Sequence, residues 1–391
     1  MTRRICMVAY THYHTDARPR RTAEALAARG DHVDFLSLET PIPTGTEILK
    51  GVHIEPLSVG RYRGGAKGQY LKSYLKFWLK ALVEVTRRHM RQRYDVIYFH
   101  TMPDFIVFAG ALARLGGAKV ILDVHDMMPE LYQSKFGIED THPLVRALKL
   151  QERLSCRFAD HVVCVHEPHR QLLESRGCVK NDISVLLNLP DPSVFDGHED
   201  NSESTDIIEN PRLVYHGTVA SRLGLDVAVR ALVLVREKFP GATLDIYGSG
   251  DAIEDVRAAV KDTGQESVVS LTGEFFPVQD IPKMLQGASL GIIPNRLDVA
   301  TDMMLPVKLL EYLYLGIPVV APGLKAIRHY FSEDAVAYYK PGDETEMANA
   351  IISVLSDPKR REVQREQAKT FYAEHSWTFA KERLFEAIDS F

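Results

Sequence analysis

Short runs rich in valine and isoleucine alternate with longer stretches of helical periodicity along almost the whole chain, and that alternation admits few folds. A strand, a helix and a second strand in this order form a parallel pair joined by a right-handed crossover. A long series of them therefore builds a doubly wound sheet with helices on both faces. The first series places strands at Ile5–Tyr10, Val33–Leu38, Val96–Phe99, Val120–Val124, Val162–Val165 and Ile183–Leu187. Helical spacing fits Arg20–Arg29, Tyr70–Arg91, Ile106–Leu115 and Pro143–Arg157. Residues 196–210 then lose both periods and turn acidic, which is linker composition. A second series follows, with strands at Arg212–His216, Thr243–Tyr247, Val268–Thr272, Leu290–Pro294 and Pro318–Ala321 and helices at Leu225–Lys238 and Pro306–Leu315. Apolar residues at 377, 379, 380, 384, 385 and 388 make the last stretch an amphipathic helix. The expected organisation is an α/β first domain over 1–195, a linker over 196–210, a second domain over 211–376 and a helix over 377–391.

Composition narrows the classes further. With 391 residues, 45% apolar and 25% charged, the chain is ordinary globular material but long for one core. No run approaches the roughly 20 uninterrupted apolar residues of a spanning helix, and Met1–Tyr10 reads as a first strand rather than a signal peptide. The four cysteines, at 6, 156, 164 and 178, form no C-x-x-C pair and read as small buried hydrophobes of a cytoplasmic protein. Charge is distributed unevenly. Residues 61–94 hold ten Lys/Arg against Glu84, a local net of +9 in a chain whose total is −5, so the remainder carries −14. Nucleic acid is a poor partner for that remainder.

The segment Leu305-Pro306-Val307-Lys308-Leu309-Leu310-Glu311-Tyr312 carries the most chemistry. Pro306 suits the first turn of a helix, where a missing N–H costs nothing, and Gly316 suits its end. Lys308 and Glu311 are three apart, so both fall on one face near the helix N-terminus. Free N–H groups and the positive dipole end suit an anion such as a diphosphate there. The lysine adds a point charge, and the carboxylate can accept from two neighbouring ribose hydroxyls. Taken alone, the pair reads equally as a surface ion pair. Upstream, Tyr215-His216-Gly217-Thr218 ends a strand in a glycine loop, and Arg222 precedes a helix opening at Gly224-Leu225-Asp226. Such a loop lets backbone amides and one arginine close on a phosphate. Gly248-Ser249-Gly250 is a tight strand-to-helix turn that lacks the third glycine of a dinucleotide fingerprint.

In this order the motifs resemble the retaining glycosyltransferases of family 4, whose GT-B fold has two doubly wound Rossmann-like domains facing across a cleft. First-domain matches are His100-Thr-Met-Pro-Asp104, Asp123-Val-His125-Asp126 with Pro129-Glu130, and Asn188-Leu-Pro-Asp191; Gly316-Ile-Pro-Val-Val320 closes the second-domain set. The resemblance implies transfer of a hexose from a nucleotide-diphosphate sugar with retention at the anomeric carbon. It places the donor on Gly217, Arg222, Gly248 and Lys308, on the backbone of Met304, Leu305 and Pro306, and on Glu311, which matches the later glutamate of the family's E-x7-E motif. The earlier glutamate falls at Met303, a departure from the pattern. Arg222 and Lys308 would steady the leaving diphosphate and His125 would orient the sugar, although a lone histidine at a strand end is also an ordinary structural residue. The acceptor would meet Asp16, Arg18, Asp126, Glu130, Arg61 and Arg63, with helix capping an equal reading for Asp126. The C-terminal helix would pack back on the first domain.

The implied acceptor is a saccharide or polyprenyl-linked saccharide of envelope or exopolysaccharide assembly. The basic, aromatic stretch 61–94 fits an anionic membrane surface at the inner face, and a core helix with a solvated basic side fits it as well. His12 and His14 have no further ligands at diagnostic spacing and no D-x-D motif occurs, so neither metal nor resident cofactor is expected. A Rossmann oxidoreductase would need a complete G-x-G-x-x-G near the first strand, which is missing. A nucleotide-sugar epimerase of the same fold and a non-catalytic sugar-nucleotide binder are the alternatives.

Overall fold

Val/Ile-rich strands separated by amphipathic helices can bury both sheet faces, and here they do so in two sheets that are parallel but for one edge strand. The computed structural model describes residues 2–39, 46–60, 67–178, 183–197 and 209–391. The chain divides into two units, Met1–Asn188 together with Thr378–Phe391, and Leu189–Trp377. Two doubly wound Rossmann-like units of this kind make the fold class α/β, GT-B.

The first unit runs β1 (Arg4–Ala9), α1 (Ala17–Ala28), β2 (His32–Leu38), β3 (Glu47–Leu49), β4 (Val52–Leu57), α2 (Lys67–Arg91), β5 (Val96–His100), α3 (Ala111–Leu115), β6 (Lys119–Val124), α4 (Met128–Phe136), α5 (Pro143–Phe158), β7 (His161–Cys164), α6 (Glu167–Ser175) and β8 (Ile183–Val185). Its sheet has the order β3-β4-β2-β1-β5-β6-β7-β8. The edge strand β3 is antiparallel to β4, with Ile48 opposite His53 around a Lys50-Gly51 turn, a hairpin that local periodicity does not announce. The direction of winding reverses between β1 and β5, so the carboxyl ends of these two strands flank the crevice where such sheets bind ligands. One core cluster joins the sheet to α2 through Phe77, Ala81 and Val85 and to α5 through Cys156.

The second unit runs α7 (Pro192–Phe195), β9 (Arg212–His216), α8 (Leu225–Lys238), β10 (Thr243–Tyr247), α9 (Ile253–Asp262), β11 (Val269–Leu271), α10 (Ile281–Leu285), β12 (Leu290–Ile292), α11 (Val307–Tyr314), β13 (Val319–Pro322), α12 (Lys325–Tyr330), β14 (Ala337–Tyr339), α13 (Glu344–Ser356) and α14 (Pro358–Glu374). All its strands are parallel in the order β11-β10-β9-β12-β13-β14, and the switch lies between β9 and β12.

Several boundaries differ from the local reading. The chain passes between units at Asn188–Leu189 rather than near 195, because Phe195 packs edge-on against Tyr314 and the Tyr314 hydroxyl donates to Asp196. Most of the acidic stretch 196–210 lies outside the described residues. Where a helix was read at Ile106–Leu115, residues Asp104–Gly110 form tight 3₁₀ turns before α3. The last helix, α15 (Trp377–Asp389), belongs to the first unit from Thr378 onward. Arg3 donates to the Phe391 carbonyl at 2.7 Å, while Arg29 pairs with Asp389 and lies over the Phe385 ring.

Candidate functional site

In the second unit the switch point collects the residues that sequence order scatters. β9 ends at His216, and the chain turns at Gly217 with φ +109°, a left-handed conformation that side chains rarely adopt. The loop after β10 presses against it so closely that a Cβ on Gly248 would lie 1.8 Å from the Gly217 carbonyl oxygen. Backbone, not side chain, therefore lines this floor. Lys308 lies over it, with its Cε 3.4 Å from where a Gly217 Cβ would be and its Nζ 4.8 Å from the centre of the Tyr215 ring.

Lys308 stands in the first turn of α11, whose N-cap is Pro306. Loss of hydration pushes its ammonium down to about 8; Glu311 opposes that shift and the Arg222 charge adds to it. Arg222 itself stands in a 3₁₀ turn over Ser221–Leu223, and its Nε is buried without a hydrogen-bond partner. Glu311, one turn along α11, is buried, with Oε2 3.1 Å from His216 Nε2. Tyr312 braces the same strand end. Its hydroxyl accepts from the His216 amide and donates to the Val214 carbonyl. Lys308 thus lies against Gly217, and Arg222 and Glu311 stand close enough to act on its charge, within one unit.

The segment between β12 and α11 is held by its own hydrogen bonds. Asp298 accepts from the amides of Ala300 and Thr301, and Met303 is buried in the turn that follows. The Met304 amide donates to the Thr301 carbonyl, so that donor serves the turn. Leu305 is half-buried and Pro306 buried. Asp226 of the Gly-Leu-Asp motif clamps Arg296 and Arg230, which ties this segment to α8. Two residues here escaped the sequence reading. His216 looked like an ordinary strand end, and Asn295, after β12, is 1% exposed with both amide atoms unpartnered.

The first unit has a polar cluster at its own switch point. Asp123, fully buried near the end of β6, receives Arg18 Nη2 at 2.7 Å and the Tyr98 hydroxyl at 3.2 Å. His100 Nδ1 and His125 Nε2 each lie 3.4 Å from the same carboxylate and 3.0 Å from one another. Burial opposes ionisation of Asp123, but Arg18 and the imidazoles outweigh it and hold the carboxyl well below its usual range. Burial pushes His100 down to about 4, which leaves it neutral near pH 7. His125 is half-buried, and its amide donates to the Thr101 hydroxyl. His100, Asp123 and His125 bring three donor atoms within 4.8 Å of one another, a spacing a metal ion could use. The Arg18 guanidinium already on Asp123 would oppose a cation there.

Two expected acceptor contacts prove to be internal. Arg18 is 4% exposed, and its other nitrogen donates to the Leu186 carbonyl. Glu130 is buried against Arg176, which also holds Glu152. Their partners lie dozens to more than a hundred residues away, so local sequence gives no sign of them. Asp16 is half-buried at the N-cap position of α1 without a side-chain cap bond. Asp126 is half-buried, and the cap position of α4 belongs to Met127. Arg61 and Arg63 lie outside the described residues.

Comparison with known proteins follows the same division. Residues 16–188 match the glycosyl transferase 4-like domain and residues 210–357 match the glycosyl transferases group 1 domain. The amylovoran biosynthesis glycosyltransferase AmsK of Erwinia amylovora is 26% identical over 315 residues, covering 79% of this chain and 70% of that protein. Among solved structures, sucrose-phosphate synthase from Thermosynechococcus elongatus superposes with a TM-score of 0.79 at 16% identity over 99% of this chain and 98% of that one. HepE of Anabaena, solved in complex with UDP and glucose, gives 0.73 at 16% identity over the whole of both chains. Both halves match glycosyltransferase domains and the fold is theirs throughout: the chain belongs to the family-4-type glycosyltransferases of the GT-B fold.

Proposed function

We propose that the protein is a retaining, metal-independent hexosyltransferase that takes its sugar from a nucleotide diphosphate and passes it to a lipid-linked saccharide in polysaccharide assembly. The observation that carries this reading is Lys308 over the side-chain-free floor where Gly217 and Gly248 meet, with Arg222 and Glu311 near enough to act on its charge. Two cations and a helix N-terminus suit a diphosphate, and a buried carboxylate beside them suits ribose hydroxyls. The likeness to a protein solved with UDP and glucose favours a nucleotide sugar, and the likeness to a polysaccharide-assembly enzyme favours a saccharide acceptor.

In the proposed step the bond between the anomeric carbon and the diphosphate oxygen breaks while the acceptor oxygen bonds to that carbon on the same face. The acceptor hydroxyl proton passes to the departing phosphate oxygen, and the nucleoside diphosphate leaves with the electron pair. Lys308 and Arg222 stabilise the charge that develops on that oxygen, so no carboxylate nucleophile is required. Glu311 holds the ribose, with His216 fixing its carboxylate. His125 orients a sugar hydroxyl. Met303 stands where the family pattern has a carboxylate, so backbone groups of 304–306 take the sugar-facing contacts, and the amide of Leu305 is assigned that contact because the Met304 amide serves the turn.

Incubation with UDP-, GDP-, ADP- and dTDP-sugars and a polyprenyl-linked acceptor, followed by NMR of the product's anomeric proton, tests this reading. Transfer with the donor's configuration preserved is expected. An inverted product, or a donor that binds without turnover as a non-catalytic binder would do, would refute it.

A further inference from the structure

The helices on one face of the first sheet turn leucines outward. On α2, Leu71, Leu75 and Leu79 recur at intervals of four and are 54%, 44% and 53% exposed. Lys72, Lys76 and Lys80 run beside them at the same interval. Helix α5 repeats the arrangement, with Leu150 and Leu154 exposed four apart and Arg146 and Arg153 exposed beside them. The turns at Asp104–Gly110 and α3 lie between α2 and α5, and α3 adds exposed Leu112 and Leu115. Phe77 and Ala81 of α2 and Cys156 of α5 enter one core beneath, so both helices bury one side and offer the other. Acid is almost missing from this layer. Across α2, α3 and α5 the only carboxylates are Glu84, paired with Arg87 and Arg88, and Glu152, buried on Arg176.

We infer that this two-helix face, and not the 61–94 stretch alone, docks on an anionic bilayer surface, with the leucines entering the headgroup boundary and the flanking cations meeting lipid phosphates. Exposed leucines in cationic rows suit an interface that is apolar beneath and negative on top. A second copy of the same face would oppose cation to cation, and a nucleic acid would leave the leucines in water. The inference rests on the lipid-linked acceptor proposed above, which would be met at that surface.

Flotation of the full chain with vesicles of equal parts phosphatidylglycerol and phosphatidylcholine, against phosphatidylcholine alone, tests it. Flotation with the anionic vesicles only is expected. Neutralising Lys72→Gln with Lys76→Gln on one helix, or Arg146→Gln with Arg153→Gln on the other, should weaken partitioning by about fivefold for each charge removed. Leu75→Ser with Leu79→Ser should remove the part of binding that survives high salt. These positions are exposed, and unfolding curves matching the wild type verify intact folds. An absence of wild-type flotation would overturn the proposal, as would full binding by the α5 pair, or leucine variants that break a dimer in solution while leaving flotation unchanged. The assay contains neither donor nor acceptor, so a negative result leaves sugar transfer standing, and loss of transfer leaves flotation standing.

Discussion

The polar clusters of the two units occupy equivalent places, the switch point of each sheet, but their charges are settled differently. In the first unit a fully buried carboxylate is met directly by a guanidinium, a tyrosine hydroxyl and two imidazoles, so the Arg18 charge is matched although Arg18 Nε and His100 Nε2 have no hydrogen-bond partner. In the second unit Lys308 makes no ion pair among the described residues, Glu311 acting on it only through its field, and Arg222 Nε and the buried Asn295 amide have no hydrogen-bond partner. A buried cation without a counter-ion is costlier to hold than an unpaired nitrogen of a group whose charge is met, so the second cluster is the better suited to a ligand that completes it. The same strand ends thus carry a charge matched internally in one unit and, on the reading proposed above, a charge kept for a ligand in the other.

The largest expected effect breaks the closed cluster. Asp123→Asn would leave the Arg18 guanidinium buried without its counter-ion, and urea unfolding should register a loss of about 3–5 kcal/mol. Next comes the open cluster. Lys308→Met removes the charge proposed above to steady the leaving diphosphate, and steady-state assays should show transfer reduced by about 100- to 1000-fold with an unchanged unfolding curve. A smaller effect is expected at His216. Replacing it with phenylalanine removes the imidazole nitrogen that lies 3.1 Å from the Glu311 carboxylate, and donor affinity measured by calorimetry should fall by less than in Lys308→Met, with glutamine restoring part of it. The mildest effect concerns pH. Lys308 is protonated below about 8, so diphosphate affinity should be highest there and fall as pH rises through that value. The fall should approach about tenfold per pH unit at its steepest, and Lys308→Arg should abolish it. An unaltered pH profile in the arginine variant would assign the dependence to another group.

How much of this was legible in the sequence depends on the range of the interaction involved. The strand and helix alternation gave the fold class, because burial of both sheet faces leaves a local pattern. Lys308 and Glu311 were legible because three residues on a helix fix a shared face and Pro306 marks where that helix starts. The role of His216 was not legible. Its partner lies 95 positions later, and as the last residue of a strand it looks no different from any other strand end. Arg18 and Glu130 looked like loop polar groups for the same reason, since the ion pairs that bury them form only after distant strands and helices meet. The outward leucines of α5 were hidden too. Helical spacing shows that Pro143–Phe158 is amphipathic, but it does not reveal that a second apolar row remains outside the core.

Calorimetric titration of a nucleoside diphosphate, with its parent nucleoside as control, into the wild type and Lys308→Met tests most directly whether the second unit is built around an anion. Saturable binding of the diphosphate, at least about tenfold weaker in the variant, and little binding of the nucleoside are expected. Equal affinity of wild type and variant, or equal affinity for nucleoside and diphosphate, would contradict it.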